Sequence, residues 1–169
     1  FDRAIRHLAT MKKILLVLTS TRRGPESIRL ALAAAQSQGA ELVVAFILDD
    51  HVPTAVIERI TEEGWIGGRP SQQLGEAIAK EFALQATAKL KDVEQLAQQS
   101  GVATRTLLLH DDWVTQIVDL AQQEGIGQIL FSRTRRSNVL TNFVGRFFGS
   151  SLEELKKKAP CPVVVISEH

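Results

Sequence analysis

The chain carries a single cysteine, Cys161, which excludes an intrachain disulfide and a cysteine-rich zinc site. It has almost no net charge. Twenty basic side chains stand against nineteen acidic ones, for a formal charge of +1. That balance supplies no general field for nucleic acid or an anionic membrane surface. Long hydrophobic runs are also missing. Stretches such as Ile14-Leu15-Leu16-Val17-Leu18 fall far short of the roughly 20 residues a membrane helix needs, so membrane insertion is not expected. No apolar signal core, internal repeat or low-complexity segment is present. A G-x-x-x-x-G-K-[S/T] loop is absent, which disfavours a Walker-type ATPase. A G-x-S-x-G elbow is absent too, so a hydrolase triad of Ser150, His110 and an aspartate has little support.

The composition is that of an ordinary globular domain. At 169 residues, with 44% apolar and 23% charged, the chain is long enough to bury a real core and too apolar to be disordered. A cytoplasmic protein is the default expectation. Phe1 is not a translation start, and Met11 is the only methionine. Residues 1–10 are therefore read as added sequence, a longer native start or a processed end, and residues 11–169 as the domain.

Five short β-branched or leucine-rich runs alternate with helical segments. The strands are expected at Lys13 to Thr19, Glu41 to Leu48, Ala103 to Leu109, Gln128 to Phe131 and Val163 to Ile166. The first helix starts at Pro25-Glu26, carries Ile28, Ala31, Leu32 and Ala35 on one face, and stops at Gly39. The longest helix starts at Pro70-Ser71 and ends at Gly101, with one stripe through Leu74, Ile78, Phe82, Ala86, Leu90, Val93 and Ala97. A third begins near Asp111-Asp112, turns Val114, Ile117, Val118 and Ala121 inward, and stops at Gly125. The last begins at Ser150-Ser151, with Ser150/Glu153 and Ser151/Glu154 as alternative capping boxes. Asp49 to Arg69 is a long connection containing Gly64, Gly67 and Gly68, expected to be mobile and to hold a short helix capped by Thr54.

This alternation predicts a single doubly wound α/β domain, with a five-stranded parallel sheet and helices on both faces. Right-handed crossovers limit the strand orders, and 3-2-1-4-5 is one solution. In that order the direction of growth reverses between strands one and four, which opens a crevice at their carboxyl ends. The loops there are Ser20 to Pro25 and Ser132 to Ser150. The second loop carries Arg133, Arg135 and Arg136 and ends at Gly149-Ser150-Ser151, where free N–H groups at a helix start favour an anion. A phosphate or carboxylate pocket is one reading. A solvated basic loop followed by an ordinary cap is the other.

Two further clusters carry ligand-type side chains. Asp49-Asp50-His51 follows strand two and His110-Asp111-Asp112 follows strand three, at one sheet edge, where they could hold a divalent ion. The simpler reading caps the third helix with Asp111 or Asp112 and leaves Asp49 and Asp50 solvated. Metal is therefore not assigned. Cys161, between two prolines, is read as a packed small residue. Phe143, Val144, Phe147 and Phe148 crowd one loop and are expected to pack against the body. Trp65 and Trp113 form no stacking array, so a nucleic-acid platform is unsupported.

Gly149-Ser150, a short helix, and Ala159-Pro160-Cys161-Pro162-Val163 leading into an apolar strand resemble the universal stress protein family. Lys12 to Leu18 looks like that family's first strand, and Ile117 to Ala121 like its third helix. The resemblance implies the 3-2-1-4-5 fold, a non-catalytic stress-response or regulatory binding role, and homodimers pairing through the last strand, here Val163, Val164, Val165 and Ile166. Nucleotide-binding members carry G-2x-G-9x-G-[S/T] after strand four. Here Ser132 and Arg135 replace the first two glycines, Gly145 is followed by Arg146, and Gly149-Ser150 falls four residues late. The aspartate the family places after strand one is Thr19 or Ser20, and Ile47 matches a position lining the base. The expected ligand residues are thus Thr19, Ser20, Ile47, Ser132, Arg133, Arg135, Gly149, Ser150 and Ser151. The expected ligand is a small anion, with ATP binding weak or lost. The alternatives are a protein that still binds ATP or AMP through a modified loop, a dimeric interaction module with a closed pocket, and a weak nucleotide hydrolase.

Overall fold

A computed structural model describes residues 12–19, 25–48, 72–110, 112–134 and 151–168. The strands are β1 (Lys13–Leu18), β2 (Glu41–Ile47), β3 (Thr104–Leu109), β4 (Ile126–Thr134) and β5 (Val163–Glu168). The helices are α1 (Pro25–Gln38), α2 (Gln72–Ser100), α3 (Trp113–Glu124) and α4 over residues 151–158. The sheet is wholly parallel, in the order β3-β2-β1-β4-β5. Fold class and strand order agree with the sequence pattern.

The two faces of the sheet are sorted residue by residue, as the period-two alternation of strand side chains requires. Ile14, Leu16 and Leu18 of β1, Leu42, Val44 and Phe46 of β2 and Leu130 of β4 face one way. They pack against Ile28, Ala31, Leu32 and Ala35 of α1 and Ala86, Leu90, Val93 and Ala97 of α2. Leu15, Val17, Val43, Ala45, Ile47, Ile129 and Phe131 face the other way. There they meet Trp113, Val114, Ile117 and Ala121 of α3 and Leu152 and Leu155 of α4. The Trp113 and Phe131 rings lie 5.9 Å apart in a tilted arrangement. Burial on both faces explains why the central strands read as unbroken apolar runs. The helix that follows each strand changes face where the chain crosses from β3 to β4, as right-handed crossovers demand.

Helix ends follow their stop signals. Gly39 takes φ +61°, with Ala40 N–H donating to Ala35 O at 2.8 Å and Gly39 N–H to Gln36 O at 3.3 Å. Gly101 ends α2 in the same way, with φ +68° and an N–H bond from Val102 to Ala97 O at 3.1 Å. Both are Schellman closures, in which the left-handed residue is at ease only without a Cβ. α4 carries two ion pairs along its length, while the expected cap residue Ser150 lies outside the described residues. Lys158 donates to Glu154 at 2.7 Å and Lys156 to Glu153 at 3.4 Å.

α2 is much longer than the strands it covers. Its 29 residues extend about 44 Å, against roughly 20–23 Å for strands of six or seven residues. Its buried stripe runs from Ala86 to Ala97, while Ile78 and Phe82 are only half-buried. Gln36 Nε2 donates to Ser100 O at 2.7 Å, which ties the lower ends of α1 and α2 together. The amino-terminal half of α2 therefore extends beyond the carboxyl edge of the sheet.

Candidate functional site

The site is built where β1 and β4 end side by side. Their ladder closes at Val17 and Phe131. β4 then continues for three residues, paired only with β5: Ser132 with Ile166, Arg133 with Ser167 and Thr134 with Glu168. This corrects the expected boundary, which ended the strand at Phe131 and began the loop at Ser132. The fifth strand runs two residues past Ile166, and its backbone groups hold β4 extended. Pro25 is the first residue of α1, where the sequence placed the helix start.

Three hydroxyl side chains meet at this corner. Thr19, immediately after β1, donates from Oγ1 to the Ser132 carbonyl oxygen at 3.4 Å. Ser27, in the first turn of α1, shares a hydrogen bond with the Ser132 hydroxyl, Oγ to Oγ at 2.8 Å. Ser27 is 0% exposed and Ser132 7% exposed. Among the described residues these are the two buried polar side chains, and they bond each other. The ends of β1 and β4 and the start of α1 are thus drawn together by hydroxyl groups in apolar surroundings.

Of the expected ligand residues, the structure brings Thr19 and Ser132 into direct contact. Ile47 is the last residue of β2, one strand away from β1, and its side chain is buried at 2% exposure in the layer with α3. Arg133 lies on β4. Ser151 is half-buried at the first residue of α4. Ser20, Arg135, Gly149 and Ser150 lie outside the described residues, as do Trp65, the Asp49 to Arg69 connection and the phenylalanine-rich loop. Ser27 is the residue that sequence reading missed. Its spacing from Ala31 and Ala35, four and eight residues, places it on the apolar stripe of α1. A polar side chain on such a stripe must find a partner inside.

The two strands that precede the acidic-histidine clusters end side by side. Ile47 pairs with Leu109, and Leu48 N–H donates to Leu109 O at 2.7 Å, so β2 and β3 end together. His110 and Asp112 follow there, while Asp49, Asp50, His51 and Asp111 lie outside the described residues. No group of three or more metal-type side chains is assembled among the described residues. Asp112 sits at the N-cap position of α3, but its side chain does not cap the helix. Its backbone is left-handed at φ 60°, which aspartate tolerates better than most residues, and this turns the carboxylate toward the Thr115 hydroxyl at 3.0 Å. Cys161 is half-buried against the α3 layer, and burial pushes its thiol above the ordinary range. It is a packed thiol rather than a thiolate nucleophile. Separately, a half-open hollow of ≈ 340 Å³ lies between α1 and α2, lined by Ile28, Lys89, Asp92, Gln95, Leu96 and Gln99, and contains none of the expected ligand residues.

Residues 10–167 match the model of the universal stress protein family. The chain belongs to that family. Universal stress protein UspA from Lactobacillus plantarum has a similar structure, with 19% identity over 92% of this chain and 97% of that one, at a TM-score of 0.58. A universal stress protein from Archaeoglobus fulgidus, solved in complex with dAMP, is 19% identical over 94% of this chain and 98% of that one, at a TM-score of 0.55. Another universal stress protein, solved with cAMP, is 14% identical over 92% and 95% of the two chains, at a TM-score of 0.50. No match was found among curated proteins. At these identities the solved structures establish a shared fold. No described helix is long and apolar enough to cross a membrane.

Proposed function

We propose that this universal stress protein is a non-catalytic, regulatory binding domain whose crevice between β1 and β4 takes a small anionic ligand and holds ATP weakly or not at all. The observation that carries this reading is the Ser132 side chain. By the sequence resemblance it takes the place of the first loop glycine of nucleotide-binding members, and it is bonded to Ser27 at 2.8 Å. A glycine there leaves open space and a free backbone; a bonded serine fills the space and pins the strand. The crevice nevertheless lies at a topological switch point, the usual ligand position in such sheets. Family members solved with dAMP and cAMP support an anionic ligand class. Arg133, Arg135 and the Gly149-Ser150-Ser151 helix start are the groups assigned to the anion, through forked donors and free N–H groups.

Calorimetry with inorganic phosphate, sulfate, AMP and ATP tests this reading. Phosphate or sulfate binding that weakens when Arg133 and Arg135 are both changed to alanine is the expected result. ATP affinity in the micromolar range would overturn it in favour of a nucleotide-binding protein with a modified loop.

A second reading concerns assembly. β5 is an edge strand, and Val164 on it is 41% exposed. An apolar strand edge left open invites pairing with another chain. A two-fold homodimer through Val163, Val164, Val165 and Ile166 would close both edges at once. Sedimentation should show a dimer that Val164→Lys converts to monomer. A wild-type monomer at micromolar concentration would refute the pairing.

A further inference from the structure

We infer that Ser27 and Ser132 are positioning residues that set the selectivity of the crevice, holding it to small anions over nucleotides; this rests on the anion reading above. At 2.8 Å between oxygens, no ligand atom fits between the Ser27 and Ser132 hydroxyls, which join the first turn of α1 to the end of β4. A ligand that needs that gap must first break a buried hydrogen bond. A small anion held farther along the chain leaves it intact.

The pair is rigid for identifiable reasons. Ser132 is held three ways: its backbone lies in the ladder with Ile166 of β5, its carbonyl accepts from Thr19, and its hydroxyl is bonded to Ser27. Ser27 follows directly on the start of α1 and precedes Ile28, which is buried in the core against the sheet. Neither hydroxyl has water as a ready substitute, because both are buried. Rotating the Ser132 hydroxyl away from Ser27 leaves a buried polar group without this partner, which the interior penalises. The pair therefore fixes where the chain leaves β4 toward Arg135 and where it enters α1, and these two points bound the crevice. Neither serine is assigned to touch the ligand. Each acts through the backbone it holds.

The test compares the affinities of inorganic phosphate and ATP in wild type, Ser132→Gly, Ser27→Ala and Ser27→Thr. In Ser132→Gly and in Ser27→Ala the preference for phosphate over ATP should fall by about fivefold or more, the scale of one hydrogen bond. Ser27→Thr retains a hydroxyl and should keep the wild-type preference. Thermal melts of the same samples confirm folding. Should Ser132→Gly fail to fold, Ser27→Ala applies the same test from the helix side. A preference unchanged within about twofold in the folded variants overturns the inference and leaves the anion reading standing. A wild-type protein that binds no phosphate overturns the anion reading, and the inference with it.

Discussion

Removing the Ser27–Ser132 bond one hydroxyl at a time gives a quantitative test of whether the two side chains act as a unit. Ser27→Ala removes the partner of a hydroxyl that is only 7% exposed. A buried polar group deprived of its partner costs about 1–3 kcal/mol, so a loss near 2 kcal/mol is expected. Ser132→Ala should cost less, about 1 kcal/mol, because the Ser27 hydroxyl is not the sole group engaged at that end. The Thr19 bond survives either change, since it uses the Ser132 carbonyl.

The double variant decides the matter. With both hydroxyls replaced by methyl groups, neither member of the pair faces a missing partner, so the share of the loss due to this bond reduces to the net worth of one hydrogen bond, about 1 kcal/mol. Any other interaction of Ser27 is lost equally in Ser27→Ala and in the double variant and cancels in the cycle. The two single costs together approach about 3 kcal/mol, so the coupling energy should be near 2 kcal/mol, within the range seen for contacting residues. In a domain of this size each kcal/mol corresponds to roughly 2–4 °C in melting temperature. Urea unfolding of all four proteins, with matching m-values, gives the cycle. Additive single and double losses would refute a bonded pair.

Other consequences follow from the packing and charges. Leu155 of α4, 0% exposed in the core cluster it shares with the sheet and α3, should cost about 2–5 kcal/mol when changed to alanine, read by urea unfolding, and a loss under about 1 kcal/mol would contradict its placement. The Glu124 carboxyl is held below its usual range by the Arg105 hydrogen bond and charge, assisted by Lys13. Its contribution is present above the unfolded carboxylate value near ~4.3 and is lost as pH falls through its lower folded value; since Arg105 is largely exposed, Glu124→Gln should cost no more than about 0.5–1 kcal/mol at pH 7, with the difference vanishing in strongly acid urea titrations. Cys161, pushed up by burial, should react with iodoacetamide at pH 8 several-fold more slowly in the folded chain than in urea, and equal rates would refute its packing.

The fold was legible because its signals are dense and redundant. The β1 and β2 cores are apolar at every position after the first, and Gly39, Gly101 and Gly125 stop their helices where a left-handed residue is needed. Boundaries at the sheet's carboxyl edge were less legible. β4 runs on through Ser132, Arg133 and Thr134 because β5 continues beside it, and residue types such as Ser-Arg-Thr read locally as loop. The first part of the site was visible as a place, through the strand order, but not as a set of contacts. Thr19 and Ser132 lie 113 residues apart, and Ser27 and Ser132 lie 105 apart, so no local periodicity could pair them. The only trace was a serine on an apolar stripe. The Asp112 cap misled for a related reason: side-chain type fits a cap, whereas the observed left-handed backbone turns the carboxylate to Thr115.

These cases share a physical origin. Residues in the middle of the strands answer to the two helix layers, and their choice is dictated by burial on both faces. Residues at the carboxyl ends answer to the packing on one side and to whatever enters the crevice on the other. Ser132 is bound by both. Its Cβ and hydroxyl belong to the packing of α1, while its carbonyl and backbone position belong to the β1–β4 mouth. A substitution there therefore changes stability and ligand preference together. An alanine at Leu130, two residues earlier and on the same face, should change stability alone, because its side chain packs in the core cluster of the α1–α2 layer. Comparing the two positions, by urea unfolding and phosphate calorimetry on the same proteins, separates what the fold needs from what the crevice selects. A Leu130→Ala variant that remained folded yet shifted the phosphate-to-ATP preference as far as Ser132→Gly would show that loosening the sheet, rather than breaking the hydroxyl bond, controls the crevice.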